Sequence, residues 1–438
     1  MLPIRNSKGA DNTMNTRFFD AAVETMSAEE RVEYQTRGLK RLLKRAYANC
    51  PGVRAILDSA QIKPKDIQSL EDLKKIPVTT KDELRELQQK TPPFGGFLAV
   101  PLKDVSAVYC SPGPIFEPHE TSQAYWKRTG KVLYNAGIEK GDIVLSAYSS
   151  NLVMAGILVQ IGANISGATV IPAGPGNTEL QVKIAHSLGA TAYVGTPSFF
   201  SNLISKAEEM GYDFKRDFQL RKALCSGEIL SPSMREHLQS FGINVTQFYG
   251  TSDVGSFGYE CQEKNGYHIC EETIVEIVDP VSKERLGPGE VGEVVVTPLD
   301  TQAYLMVRFG TGDASLYTDE PCACGRTSNR LIRIVGRVGD AARVRGMFLH
   351  PKQIDEILSR FTDISRWSAV VSRPKQRDEL TIKVELRAGT SMSRQLEDNI
   401  LSRFPELCRV RPDRVEFVSP GSIPDAQVNK VVDQRTWK

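Results

Sequence analysis

The chain has 438 residues, 40% hydrophobic and 25% charged, with 55 basic against 53 acidic side chains. That length exceeds one typical core, so two or more domains are expected, and the balanced charge argues for neither nucleic acid nor an anionic membrane as partner. No apolar run approaches the roughly 20 residues of a membrane span. The stretch Met1–Lys8 lacks an apolar core followed by a small-residue cleavage site, and eight cysteines in so long a chain point to a reducing compartment rather than a disulfide scaffold. The expectation is a cytoplasmic globular protein.

In chain order, residues 17 to 90 read as helices; the run Glu29–Tyr47 carries apolar residues at steps of three and four. From 105 to 275, short apolar strands alternate with amphipathic stretches: Asp142–Tyr148, Ala168–Pro172, Ala192–Gly195 and Lys222–Ser226. That alternation predicts parallel α/β layers. Between 273 and 308 the period becomes two, in Ile274–Val278 and Gly292–Val296 with the turn-rich Leu286–Gly289 between them, which predicts an antiparallel meander. After Gly336-Arg337 the texture is α+β: a helix from Pro351 with proline in its first turn, a half-buried strand Leu380–Leu386, and a second helix opening at Ser391–Glu397 with a serine cap. The fold class read from this order is α/β, with a large domain over 1–337 and a small α+β domain over 338–438.

The motif Thr311-Gly312-Asp313 can offer a carboxylate to both hydroxyls of a ribose, and Gly336-Arg337 can add a cationic donor a strand later. Tyr249-Gly250-Thr251-Ser252-Asp253 supplies an aromatic, hydroxyls and an acid. Singly these are ordinary strand-ending turns; their ordered series is informative. Cys261 and His268 lie seven apart, with Cys322-Ala-Cys324 following. A Cys₃His set fits a closed, structural zinc site, with Cys270 as a rival ligand and reduced buried thiols as the plainer alternative.

With Lys75–Lys81, Gly167–Pro172, Gly176–Gln181, Gly195–Ser198, Cys322–Arg326 and Arg345–Pro351 (which includes Gly346), this series resembles the adenylate-forming superfamily, and within it the phenylacetate-CoA ligase family. The resemblance implies an acyl- or aryl-CoA ligase that activates a carboxylic acid as acyl-AMP and passes it to CoA, using ATP and Mg²⁺. It implies adenine contact by Ser226, Gly227, Glu228, Tyr249 and Gly250, α-phosphate contact by Thr251, ribose contact by Asp313 and Arg337, and Mg²⁺ beside Asp253, where the family usually has glutamate. It places a zinc cluster of the same residue types beneath the active site, and an acyl pocket at Tyr148, Asn151, Ala173 and Gly174. The stretch around Leu152, Val153 and Met154 suits an aliphatic or small hydroxylated acid at least as well as an aryl one, and equally reads as helix core. The C-terminal domain is expected to swing about Gly339–Asp340. A homodimer is among the expectations for assembly.

Two places depart from the family. Its phosphate loop reads Ser-Ser-Gly-Thr-Thr-Gly-Lys-Pro; here Ser111–Pro118 replaces two hydroxyls by Pro114 and Ile115 and the lysine by Glu117, which removes backbone donors and opposes a triphosphate. Aligned on Val431–Asp433, the family's adenylating lysine falls on Gln427, and Lys430 takes an arginine's place, so that Lys430 is the candidate catalytic cation. Parts expected to touch AMP persist while parts that handle pyrophosphate are altered. The alternative to a ligase is therefore a divergent member without ATP-dependent adenylation, which binds AMP or acyl-adenylate, catalyses only thioester formation, or serves as a ligand-binding subunit.

Overall fold

The computed structural model describes residues 18–111, 114–345, 347–374 and 378–435. Pro112, Gly113 and Gly346, singled out in the sequence, lie outside them. The chain divides into two compact units. The first comprises 18–275, 296–309 and 318–332, and the second 276–295, 310–317 and 333–435, within the described residues.

The first unit opens with helices, as the periodicity predicts. Ala28–Asn49 starts at a reciprocal cap, in which the Ser27 hydroxyl accepts from Glu30 N–H and the Glu30 carboxylate accepts from Ser27 N–H. It buries Leu39, Leu42, Leu43 and Ala46 at helical spacing. The helix Lys81–Lys90 uses the same device through Thr80 and Glu83, directly after the two-residue strand β1 (Thr79–Thr80). A hairpin follows, β2 (Val108–Ser111) and β3 (Ile115–Pro118), which pairs Tyr109 with Glu117 and Ser111 with Ile115.

Next come β4 (Ile143–Ser146), β5 (Thr169–Pro172), β6 (Ala192–Gly195), β7 (Lys222–Cys225) and β8 (Asn244–Thr251). They lie in the order β5-β4-β6-β7-β8, all parallel. Successive side chains on a strand point to opposite faces, and here they feed two cores. Leu145, Tyr193, Ala223 and Val245 enter one layer with Phe200 and Leu203 of the helix Pro197–Glu209. Val144, Ala192, Val194 and Leu224 enter the other with Val132 and Leu133 of the helix Gln123–Asn135. A strand covered on both faces has to be apolar throughout, which is why these segments read as short apolar runs. Beyond β8 the sheet turns antiparallel through β9 (Gly255–Tyr259) and β10 (Tyr267–Ile269).

Strands β11 (Thr273–Val278), β12 (Gly292–Pro298), β13 (Phe309–Thr318) and β14 (Arg330–Arg337) each carry residues of both units. β11 and β12 fall where the period-two alternation is read, whereas β13 and β14 lie beyond it, and β12 is buried along its whole length rather than on alternate residues.

The second unit also holds a hairpin, β15 (Ala342–Val344) and β16 (Met347–Leu349), and a four-stranded sheet. There β17 (Ile364–Ser372) pairs antiparallel with β18 (Glu379–Leu386), while β19 (Arg414–Val418) and β20 (Val431–Asp433) run parallel to β18 and β17. Ile354 and Ile357 of the helix Pro351–Leu358 and Ile400 and Phe404 of the helix Arg394–Cys408 cover it. The Ser393 hydroxyl caps the latter.

Candidate active site and metal centre

In an open parallel sheet, ligands bind beyond the carboxyl ends of the strands. The site residues read from the sequence in the first unit fall there. Tyr148 follows β4, Ala173 and Gly174 follow β5, Ser226–Glu228 follow β7, and Tyr249–Thr251 end β8. The Tyr148 hydroxyl donates to Ser226 O at 2.8 Å, and its burial pushes the phenol well up. Gly227 holds φ at +85°, with Thr196 Cγ2 and Tyr148 at ordinary contact from where a Cβ would stand. Gly174 N–H donates to Ser146 O at 3.0 Å. The buried Gln181 donates to Gly174 O at 2.8 Å and Gly176 O at 2.6 Å, fixing that glycine loop. Asn151 is exposed on the loop before the helix Ala155–Ile165, beside Leu152 with φ +63°.

Other predicted contacts are engaged differently. Glu228 accepts from Ser198 N–H at 2.6 Å, in the first turn of the helix Pro197–Glu209. Tyr249 is buried edge-to-face against Phe257, with centroids 4.8 Å apart, whereas Phe248 meets Tyr148. Gly250 is required sterically, because a Cβ would stand 2.5 Å from Gly255 O.

Asp253 sits in the β8–β9 turn, buried, with Oδ2 at 3.3 Å from Lys81 Nζ and Oδ1 unpartnered; the nearby Thr251 Oγ1 is also buried without a partner. Sequence reading missed what holds this turn. Arg128, 1% exposed, donates to Val254 O at 3.1 Å, Ser256 O at 2.8 Å and Asp300 Oδ2 at 2.8 Å. Burial lifts Asp300 to about 6 even against the Arg128 charge. Glu117 turns inward from β3, 2% exposed, and burial, then Asp253, raise its carboxyl to about 7.

In the second unit, Thr311-Gly312-Asp313 lies within strand β13 rather than in the turn expected from sequence, with Gly312 at φ +74°. The buried Thr311 Oγ1 donates to Val294 O at 3.0 Å and accepts from Asp313 N–H at 3.2 Å. Arg337 Nη1 lies 3.0 Å from Asp313 Oδ1 and 3.2 Å from Thr311 O. The ribose pair of the sequence reading is thus an ion pair. His350, unassigned by that reading, supports it. Its Nε2 lies 3.1 Å from Arg337 O, its Nδ1 accepts from Lys352 N–H at 3.2 Å, and its ring fills the space a Cβ on Gly336 would enter. Gln427 ends the short turn Asp425–Gln427, half-buried, and Lys430 is exposed just before β20.

The predicted metal set comes together. The ligand atoms of Cys261, His268, Cys322 and Cys324 all lie within 4.8 Å of one another. Cys261 Sγ is 3.8 Å from Cys322 Sγ, Cys324 Sγ is 3.3 Å from His268 Nε2, and the Ser328 hydroxyl is 3.2 Å from His268 Nδ1. The rival Cys270 belongs instead to the apolar core with Val132 and Leu224. All eight cysteines are free thiols.

Comparison with known proteins agrees with this geometry. A family described as AMP-binding enzyme matches residues 119–298, and one described as AMP-binding enzyme C-terminal domain matches 346–435. The phenylacetate-coenzyme A ligase of Thermus thermophilus is 32% identical over 398 residues, 88% of this chain and 87% of the relative. That of Escherichia coli is 32% identical over 423 residues, covering 92% and 94%. The chain belongs to the phenylacetate-CoA ligase family. It is an acyl-CoA ligase-like, adenylate-forming enzyme. An open conformation of 2-hydroxyisobutyryl-CoA ligase, in complex with 2-HIB-AMP and CoA, is 26% identical and superposes with a TM-score of 0.87 over 99% of this chain and 98% of that one. Its postadenylation state gives 0.72 over 98% and 95%. Among the described residues no helix is long and apolar enough to cross a membrane.

Proposed function

We propose that this family member converts a carboxylic acid and ATP to acyl-AMP and pyrophosphate, then transfers the acyl group to the CoA thiol with release of AMP. The observation that carries the reading is the preformed ion pair between Asp313 of β13 and Arg337 at the end of β14, a charged acceptor and donor held ready for a ribose. Tyr148, Ser226, Gly227, Ala173 and Gly174 at the strand ends would enclose the acyl and adenine groups, with Asn151 at the rim. Thr251 would donate to the α-phosphate, Asp253 would hold Mg²⁺, and Lys430 would supply the cation of the adenylating step. Glu228, Tyr249 and Gly250 would shape the adenine side, the first two through the packing they already make. Gly339 has open space where a Cβ would project and lies in the turn Val338–Asp340, which suits a hinge for a C-terminal domain beginning at 338.

The four-ligand cluster would hold one structural Zn²⁺. Three thiols and an imidazole fill a tetrahedral shell, and the Ser328 contact orients the histidine from behind. Metal analysis of protein never exposed to chelator should give close to one zinc per chain, and a small fraction of that would count against the site. The mixed, partly aliphatic sequence from Tyr148 to Gly156 suits an aliphatic or small hydroxylated acid at least as well as an aryl one. Cytoplasmic location and a homodimer complete the reading; fractionation and sedimentation test them.

The deciding assay incubates the protein with ATP, Mg²⁺, CoA and a panel of aryl, aliphatic and 2-hydroxy acids, and follows AMP and acyl-CoA by mass. The inward Glu117 in the phosphate loop supports a second reading, a member that recognises AMP or a preformed acyl-adenylate without activating the acid itself. Acyl-CoA formed from synthetic acyl-adenylate but never from ATP would select it.

A further inference from the structure

The loop Ser226–Leu230, given above to the adenine side, leaves β7 and leads into the helix Pro232–Ser240. Its first half is anchored at three points. Ser226 N–H donates to Gly195 O at 3.2 Å, Ser226 O accepts from the Tyr148 hydroxyl, and the Glu228 carboxylate accepts from Ser198 N–H. Its far end is held from β8, where Gln247 Oε1 accepts from Leu230 N–H at 3.3 Å.

Gln247 is in turn placed by Glu260, which is 4% exposed. Strand β9 ends at Tyr259, opposite Phe248 of β8, and one residue further on Glu260 N–H donates to Gln247 O at 2.9 Å. The return bond uses the side chain: Gln247 N–H donates to Glu260 Oε2 at 2.8 Å, so a carboxylate closes the ladder where a carbonyl usually does. Oε1 of the same carboxylate accepts from Arg235 Nη2 at 2.7 Å and stands 3.5 Å from Gln247 Nε2. Arg235, on the helix Pro232–Ser240, also donates from Nη1 to Val245 O at 2.8 Å. A carboxylate only accepts, and an amide has one accepting end and one donating end. With its Nε2 turned to Glu260, Gln247 has its oxygen left for Leu230 N–H; the opposite flip would set oxygen against carboxylate and N–H against N–H. All these residues lie in the first unit.

We propose that Glu260 is a positioning residue for base recognition. Its carboxylate orients the Gln247 amide, and the amide holds Leu230 and with it the loop Ser226–Leu230 in the form that reads the edge of adenine. Removing the charge removes the reason for that orientation. In Glu260→Gln either amide can swap its ends, and Leu230 N–H loses a fixed acceptor. The anchors at Ser226 and Glu228 stay, so the loss falls on the far end of the loop rather than on the whole site. The role toward adenine rests on the ligase reading above; the chain of bonds from Glu260 to Leu230 does not.

The test compares AMP with inosine monophosphate, which differs from it only at the edge of the base, by calorimetry on the full-length protein. Wild type should prefer AMP. Glu260→Gln should raise the AMP Kd by about tenfold (~1.4 kcal/mol), close to the least that a hydrogen bond to a charged group is worth, and the inosine monophosphate Kd by less than about threefold. Gln247→Leu should do the same, and the double variant should be no worse than the poorer single one, because both changes break one chain of bonds. A purely structural ion pair would weaken both nucleotides alike. That result overturns the proposal, as do an unchanged AMP Kd in Glu260→Gln, a wild type indifferent to the two bases, and fully additive losses. Melting temperature reports whether each variant is folded. Where Glu260→Gln does not fold, Gln247→Leu and Arg235→Lys carry the test: loss of the AMP preference in both supports the role, and a wild-type preference in either overturns it. Glu260-dependent preference for AMP with no acyl-CoA formed from any acid sinks the ligase reading alone. Acyl-CoA formed by wild type, with Glu260→Gln binding AMP as wild type does, sinks the positioning role alone.

Discussion

Two carboxylates, Asp313, proposed for ribose contact, and Glu117, in the hairpin aligned with the family's phosphate loop, meet opposite treatment. Asp313 keeps 16% of its side chain exposed and has Arg337 at 3.0 Å, on strand β13, where Thr311 Oγ1 accepts from its N–H. Glu117 is 2% exposed, next to a Phe116 backbone that the Gln88 side chain holds at both N–H and O, and neither carboxylate oxygen makes a hydrogen bond by distance and angle. The first is already oriented by Arg337 in the unliganded chain. The second is unfinished, since an unpaired buried carboxylate is stable only with a proton or a cation supplied from elsewhere. On the proposed roles, the ribose side is preorganised by the Asp313–Arg337 pair, while the buried Glu117 carboxylate opposes a polyphosphate. A ligase of this design should bind AMP readily.

The sharpest way to break that contrast is to add a protein cation to the poorer half. Adenylation builds negative charge around the α-phosphate, and a preorganised donor there changes rates by about a hundredfold or more. Gln427 carries no charge where the family's lysine is expected, so Gln427→Lys should raise acid-dependent ATP–pyrophosphate exchange by about a hundredfold. Lys430→Ala is the companion variant. If it abolishes a robust wild-type exchange, Lys430 is the cation and the alignment at Gln427 is wrong. Fast exchange that survives both changes removes the charge argument altogether.

Next in size is the loss of the better half. Asp313→Ala should weaken AMP binding by about tenfold or more, because hydrogen bonds to a charged acceptor are worth about 1.5–3 kcal/mol, and it strands Arg337 without its partner. Calorimetric AMP affinity equal to wild type would take Asp313 out of the site. Behind it stands Gly336→Ala, which places a Cβ 2.4 Å from His350 Cε1 and 2.5 Å from Nε2. Crowding of that kind costs about 1–3 kcal/mol. The expected outcome is a lower melting temperature together with weaker AMP binding, since the ring it displaces holds Arg337 O. A variant as stable as wild type would show that the ring is free to move aside.

Much of the architecture was legible because it is locally encoded. Pro351 and Ser393 mark helix starts that the second unit uses, and apolar runs such as Ala192–Gly195 become strands covered on both faces. The metal set was legible for a different reason: Cys322-Ala-Cys324 is rare enough to announce itself, and β10 then delivers His268 to it. What stayed hidden depends on long-range contact. Arg128 reaches Val254 and Asp300 across 126 and 172 residues, Gln88 clamps Phe116 across 28, and no spacing rule links such partners. Glu117 was read as a charge facing substrate; the hairpin register turns it inside instead. Tyr249 was read as an adenine neighbour, and strand alternation sends its ring to Phe257. In both cases the residue's chemistry is visible in the sequence, and its packing follows from strand alternation.

The smallest expected effect tests how firmly the finished half is held. His350 is buried and bonded at both nitrogens: Nδ1 accepts from Lys352 N–H, so Nε2 carries the proton and donates to Arg337 O. Only the neutral ring can do both. Burial lowers its basicity below the ordinary 6.5, Arg337 O and the Asp340 carboxylate pull it back up, and the Lys352 charge pushes it further down. A base whose folded pKa is depressed binds fewer protons folded than unfolded. Its contribution to stability is therefore complete above about 6.5 and is lost as pH falls through the window between that value and the folded one. Urea unfolding of wild type minus His350→Gln should be flat from about pH 8 to 6.5, then fall by at most about 1.4 kcal/mol per pH unit. Protonation also removes the acceptor for Lys352 N–H and with it a support of Arg337, so AMP affinity should weaken over the same window in wild type and not in the variant. A difference curve that stays flat below pH 6.5 would mean that the ring remains neutral for reasons other than these two bonds, or that Arg337 does not depend on it.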